Sequence, residues 1–127
     1  MSFLPHLRLA AIAALSTIAF AAHAADVQVS CEKRSNRSKI SIDGNNLASG
    51  SYRAVAKSGT RTATSDFATT AGDEVEFDFD SRAGDIAEGA TAIASNFIVD
   101  GRVKGYLVNA SGARVTPVFT VVCRVRS

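Results

Sequence analysis

The chain has 127 residues, 46% hydrophobic and 20% charged, with a net charge of +2. That length suits one folded domain and leaves no room for two. The near balance of charge, with aromatics not interleaved among the basic residues, argues against nucleic-acid binding.

The amino-terminal segment carries Arg8 and then runs from Leu9 to Ala22 with only Ser16 and Thr17 polar. Ala22-His23-Ala24 comes next, a small-x-small pattern that signal peptidase accepts. A bilayer-spanning helix needs about 20 apolar residues, and this run is shorter. The expectation is a cleaved secretory signal peptide over residues 1–24 and a single β-sandwich domain over residues 25–127. No membrane span remains after cleavage, and the expected location is the bacterial periplasm or the cell exterior, reached by the general secretory route. Cys31 lies several residues beyond the cleavage point, which argues against a lipid-modified cysteine there.

Period-two alternation dominates the remaining chain. Val27, Val29 and Cys31 alternate with Gln28, Ser30 and Glu32, and Ile40 and Ile42 alternate with Lys39, Ser41 and Asp43. Val75, Phe77 and Phe79 alternate with Glu74, Glu76, Asp78 and Asp80. Residues 114–126 are rich in Val, Thr and Phe. Such patterns mark half-buried strands. Asp43-Gly44, Ser58-Gly59, Asp100-Gly101 and Ser111-Gly112 supply turn chemistry between runs. The spacing predicts strands near 26–34, 37–43, 51–57, 60–66, 74–80, 92–99, 102–108 and 114–126, with a turn at most around 85–89. Seven to eight antiparallel strands in about a hundred residues describe an all-β fold, a small immunoglobulin-like β-sandwich.

Cys31 and Cys123 are the only cysteines. An even pair in a small exported domain reads as a disulfide, here tying the first strand to the last. No C-x-x-C spacing suggests a redox pair.

Leu47-Ala48-Ser49-Gly50-Ser51-Tyr52 has the form L-x-x-G-x-Y. It is similar to a turn of extracellular immunoglobulin-like and transthyretin-like β-sandwiches. The resemblance implies that Leu47 plugs one end of the core and that Tyr52 begins the next strand. It implies no activity.

The functional evidence is mostly negative. Both histidines, His6 and His23, fall within the signal segment, so residues 25–127 contain none. Histidine-dependent nucleophiles and His-liganded metals are thereby excluded from that part. No P-loop, G-x-S-x-G or dinucleotide fingerprint is present. The mature chain is expected to be non-enzymatic and to need no cofactor. A carboxylate-dependent hydrolase using Asp80 and Asp85 is the furthest alternative.

Two charged groups stand out. Glu74, Glu76, Asp78, Asp80 and Asp85 form an acidic stripe, whose alternation places its strand members on one outer face. It reads as a solvated face, as the partner of a basic strand, or as a calcium site begun by Asp78, Asp80 and Asp85. Lys33, Arg34, Arg37 and Lys39 form a basic group that the disulfide would bring beside Arg124 and Arg126. The expected function is a binding module for an unknown protein or envelope component. The alternatives are a structural or adhesive subunit that self-associates through a sheet edge, and a calcium-stabilised extracellular module.

Overall fold

The computed structural model describes residues 24–127. The signal peptide expected over 1–24 therefore falls, but for its last residue, outside the described residues. Among the described residues the chain forms β1 (Asp26–Arg34), β2 (Arg37–Asn45), β3 (Ser51–Ser58), β4 (Arg61–Thr64), β5 (Ala68–Thr69) and β6 (Val75–Asp80). Then come α1 (Ala83–Ala87), β7 (Thr91–Ala92), β8 (Arg102–Asn109), β9 (Phe119–Val122) and β10 (Arg124–Val125). One sheet is ordered β10-β1-β2-β6-β7, and the other β4-β3-β8-β9 with β5 also on β3. The chain is mostly β, in two sheets, as the alternation predicts.

The inward residues of the alternating runs form the core. Val27 and Val29 of β1, Ile40 and Ile42 of β2, and Val75, Phe77 and Phe79 of β6 meet Ala54, Ala56, Val103 and Leu107 of the second sheet. Burying each of the larger side chains is worth about 1.5–3 kcal/mol. The sheets approach closely at Gly105, where an added Cβ would lie 2.8 Å from Val29 and 2.9 Å from Ile42. Leu47 is buried in this core, and the Tyr52 hydroxyl donates to the Ala48 carbonyl at 2.7 Å. Tyr52 is the second residue of β3.

The structure corrects several expectations. Not all pairings are antiparallel: β10 runs parallel to β1, and β7 parallel to β6. Asp43-Gly44 is no turn but the interior of β2, since Gly44 pairs with both Val27 and Val75. A side chain there would collide with Leu107. Asp100-Gly101 does turn the chain, with φ of 54° and 64° at its two residues. A strand over 92–99 reduces to Thr91–Ala92. The remainder leaves the sheet so that Phe97 and Ile98 can cap the core.

Two buried serines satisfy that irregular segment. Ser38 Oγ donates to the Ser95 carbonyl at 2.8 Å and accepts the Ile98 N–H at 3.2 Å. Ser58 Oγ accepts the Val99 N–H at 2.7 Å and donates to the Arg102 carbonyl at 2.7 Å. The turn expected around 85–89 is the end of the short helix α1, which begins two residues earlier, at Ala83.

The single strand expected over 114–126 is broken at Cys123. β9 pairs with β8 in the second sheet, and β10 pairs with β1 in the first. The last strand thus changes sheets, and Cys123 marks the crossing, its N–H donating to the Gly101 carbonyl at 2.7 Å. The Cys31–Cys123 disulfide, 92 residues apart in sequence, fastens the crossing to β1. Cys123 is buried and Cys31 half-buried. No helix among the described residues is long and apolar enough to cross a membrane.

Candidate functional site

The acidic stripe divides into two unlike parts. Val75, Phe77 and Phe79 point inward, so Glu76, Asp78 and Asp80 share the outer face of the first sheet. Asp80 is only 2% exposed. Arg37 Nε donates to its Oδ1 at 2.9 Å and Nη2 to its Oδ2 at 2.6 Å, a bidentate pair. The Arg82 N–H adds a third bond to Oδ1 at 3.0 Å. Burial alone would raise the Asp80 carboxyl, but the Arg37 guanidinium and the Arg82 and Ser81 amides hold it below the usual aspartate range. Asp85 lies 3.2 Å from Arg37 and 3.7 Å from Arg82.

Glu74, Glu76 and Asp78 make no ion pair among the described residues; Asp78 accepts a hydrogen bond from Ser41 at 2.9 Å. Directly opposite Glu76 on β2 stands Asp43. Partial burial, followed by the charges of Glu76, Asp78 and Glu74, pushes the Asp43 carboxyl above its ordinary value. Asp43 therefore belongs to the acidic group, though alternation along one strand could not reveal its neighbour on another.

The residues of the calcium alternative, Asp78, Asp80 and Asp85, have other partners. Asp80 and Asp85 face guanidinium groups, Asp78 faces a hydroxyl, and no three His, Cys, Asp or Glu side chains among the described residues converge as a metal cage requires.

The basic group is also split. Arg37 belongs to the ion pair with Asp80. Lys33 Nζ donates to the Ser95 carbonyl at 2.9 Å. Arg34 and Arg126 both bind Glu32, at 2.9 and 3.1 Å, and the Arg34 hydrogen bond leads in holding that carboxyl below its usual range. Arg124 pairs with Glu32 across the β1–β10 ladder. The disulfide does bring the two basic clusters together, but around Glu32. Lys39 sits opposite Asp80 and Glu32 in its two ladders.

The surface least explained by internal pairing is the edge strand β9. β8 borders one side of it, and among the described residues no strand borders the other. Among the described residues Phe67, Val118, Phe119, Val122 and Val125 are the large apolar side chains left exposed. Four of these five lie between residues 118 and 125, with Val122 and Val125 both 72% exposed. Thr120 stands opposite Lys104, and Val122 opposite Arg102. Arg102, Lys104, Arg114 and Arg124 make no ion pair among the described residues. A groove of about 390 Å³ alongside has Val121, Val122 and Arg124 on one wall and Ser30, Cys31 and Glu32 on the other. The arrangement offers unpaired strand backbone, an apolar face and a basic rim, the components of strand addition.

The sequence carried one signal for this edge: Val118-Phe119-Thr120-Val121-Val122 has no charged residue and lacks the alternation seen elsewhere. Compared with protein-family models, with curated proteins and with solved structures, the chain matches none.

Proposed function

We propose that the chain is exported, that residues 1–24 are removed as a signal peptide, and that the remainder works without catalysis as an immunoglobulin-like sandwich. Its role is to bind an extended segment of an envelope or extracellular protein along β9. The observation that carries this reading is the run of exposed apolar side chains, Val118, Phe119 and Val122, at an edge strand whose outer side no strand borders among the described residues. Long apolar edges invite pairing, and proteins normally blunt them with charge, proline or a cover. Here Pro117 and Arg124 bracket β9 without covering it. The disulfide favours an oxidising compartment, consistent with export.

The test is in-cell crosslinking of the tagged protein, followed by identification of what stays attached. Val122→Lys places a charge on the edge at an already exposed position. The expected result is a reproducible adduct with the wild type that Val122→Lys removes while leaving the melting temperature nearly unchanged. An adduct pattern indifferent to Val122→Lys would assign binding elsewhere.

A further inference from the structure

The β9 edge has a counterpart on the opposite side of the domain. β1 packs over β8 and β9, whereas β6 packs over β3 and β5, so β6 and β9 lie at opposite flanks. β7 pairs only with Phe79 and Asp80, so among the described residues Val75–Asp78 of β6 have no strand on that side. β9, Phe119–Val122, is four residues long, the same as the uncovered part of β6. A groove of about 380 Å³ runs along β6 there, between the segments around Ser65–Ala68 and Glu88–Thr91. Phe67, the fifth exposed apolar side chain, lines it. Four of the five exposed large apolar residues among those described thus lie at one of these two edges: Val118, Phe119 and Val122 at β9, and Phe67 beside β6.

Their charges are opposite, and neither set makes an ion pair among the described residues. Asp43, Glu74, Glu76 and Asp78 surround the β6 edge, and Arg102, Lys104, Arg114 and Arg124 surround the β9 edge. Pairing β9 with β9, or β6 with β6, would set like charges side by side, which is unfavourable. Pairing β9 with β6 sets opposite charges together. A strand added to β9 lies two strand spacings, about 10 Å, from β8. Lys104 and Arg102 are long enough to reach acidic side chains across that distance.

We infer that the β9 edge of one copy receives the β6 edge of a second copy, so that the chain associates head to tail through edges of opposite charge. This rests on the reading of β9 as a docking edge and names its occupant. Because the edges lie on opposite flanks, one copy cannot satisfy itself, and each junction leaves a free edge at either end.

The experiment is sedimentation equilibrium of the disulfide-bonded domain at low salt, from micromolar to near-millimolar concentration. Two double variants accompany it, Glu76→Lys with Asp78→Lys and Arg102→Glu with Lys104→Glu, with folding checked by circular dichroism. The wild type is expected to associate reversibly. Each variant alone should associate at least about tenfold more weakly, since like-charge juxtaposition opposes docking. Mixing the two variants should restore association. A wild type that stays monomeric throughout, variants that associate like the wild type, or a mixture that stays monomeric would each overturn the inference.

A photo-reactive residue at position 122 in the native compartment separates this failure from failure of the underlying reading. A heterologous adduct combined with a monomeric pure domain would overturn self-docking and keep β9 as the binding edge. The absence of any adduct would overturn both.

Discussion

The two flanks of the domain are locked by different chemistry. On one flank the last strand crosses between sheets, and a covalent bond between Cys31 and Cys123 fixes the crossing. On the other, the buried Arg37–Asp80 pair joins β2 to the end of β6 beside the short β7. Among the described residues, each lock has a partly uncovered strand next to it: β9 beside the disulfide, and the first residues of β6 beside the ion pair. The covalent lock acts mainly by restricting the unfolded chain, whereas the ionic lock acts only while both partners are present and charged. The same outcome, a pinned flank, therefore responds to quite different perturbations on the two sides.

The largest expected effect is on the covalent side. Replacing both cysteines with serine, or reducing the bond, should lower the unfolding free energy by roughly 4 to 5 kcal/mol, as loop-closure entropy predicts for so long a loop. Urea denaturation of oxidised and reduced protein measures it. Equal stability of the two forms would remove the disulfide as a lock.

On the ionic side, Asp80→Ala alone should cost about 3–5 kcal/mol, because it strands the buried Arg37. Replacing both partners with apolar residues of similar volume should cost much less, and thermal melts of the three proteins compare them. The pH dependence comes from the depressed Asp80 carboxyl. Its stabilisation is fully present above the unfolded aspartate value of about 3.9 and is lost as pH falls through the lower folded value. Acid titration of stability should therefore show a loss below about pH 4 that Asp80→Asn flattens.

A smaller effect is expected beside the uncovered part of β6, where Asp43 faces Glu76. Asp43→Asn should raise stability at neutral pH by about 0.2–1 kcal/mol, the scale of a cross-strand charge contact. Because the folded Asp43 carboxyl lies above its ordinary value, its unfavourable contribution fades as pH falls through that raised value. The advantage of Asn should fade with it, and chemical denaturation at neutral and acidic pH would show this.

Much of this contrast could be read from the sequence, and the unread part has a common cause. Alternation of Val75, Phe77 and Phe79 located β6, Asp100-Gly101 located a turn, and two cysteines in a small domain specified the covalent lock. The ionic lock was hidden because Arg37 and Asp80 meet only through the β2–β6 register, which no single strand encodes. Within β6, Asp78 and Asp80 look equivalent by period. Their cross-strand surroundings, Ser41 for one and Arg37 for the other, make one exposed and the other buried. Asp43-Gly44 misled because glycine serves two purposes, permitting turns and permitting close approach, and here Leu107 requires the second. The apolar run at β9 suggested a strand but not its exposure, which depends on whether the sheet continues past it.

The smallest expected stability effect is at Val122, on the proposed binding edge. Val122→Lys should change stability by no more than about 0.5 kcal/mol, the usual range for exposed surface substitutions. Melting curves check this, and a large loss would mean that Val122 belongs to the core rather than to an open edge.

The most direct test of β9 as the working surface is a photo-crosslinking scan in the native compartment. The reactive residue is placed at Val118, just before β9, or at Val122 within it, and at Thr62 on β4, the other edge of the same sheet. Adducts from positions 118 and 122 but not from 62 are the predicted result. Adducts from position 62 alone, or equally from all three, would contradict the assignment of β9 as the binding edge.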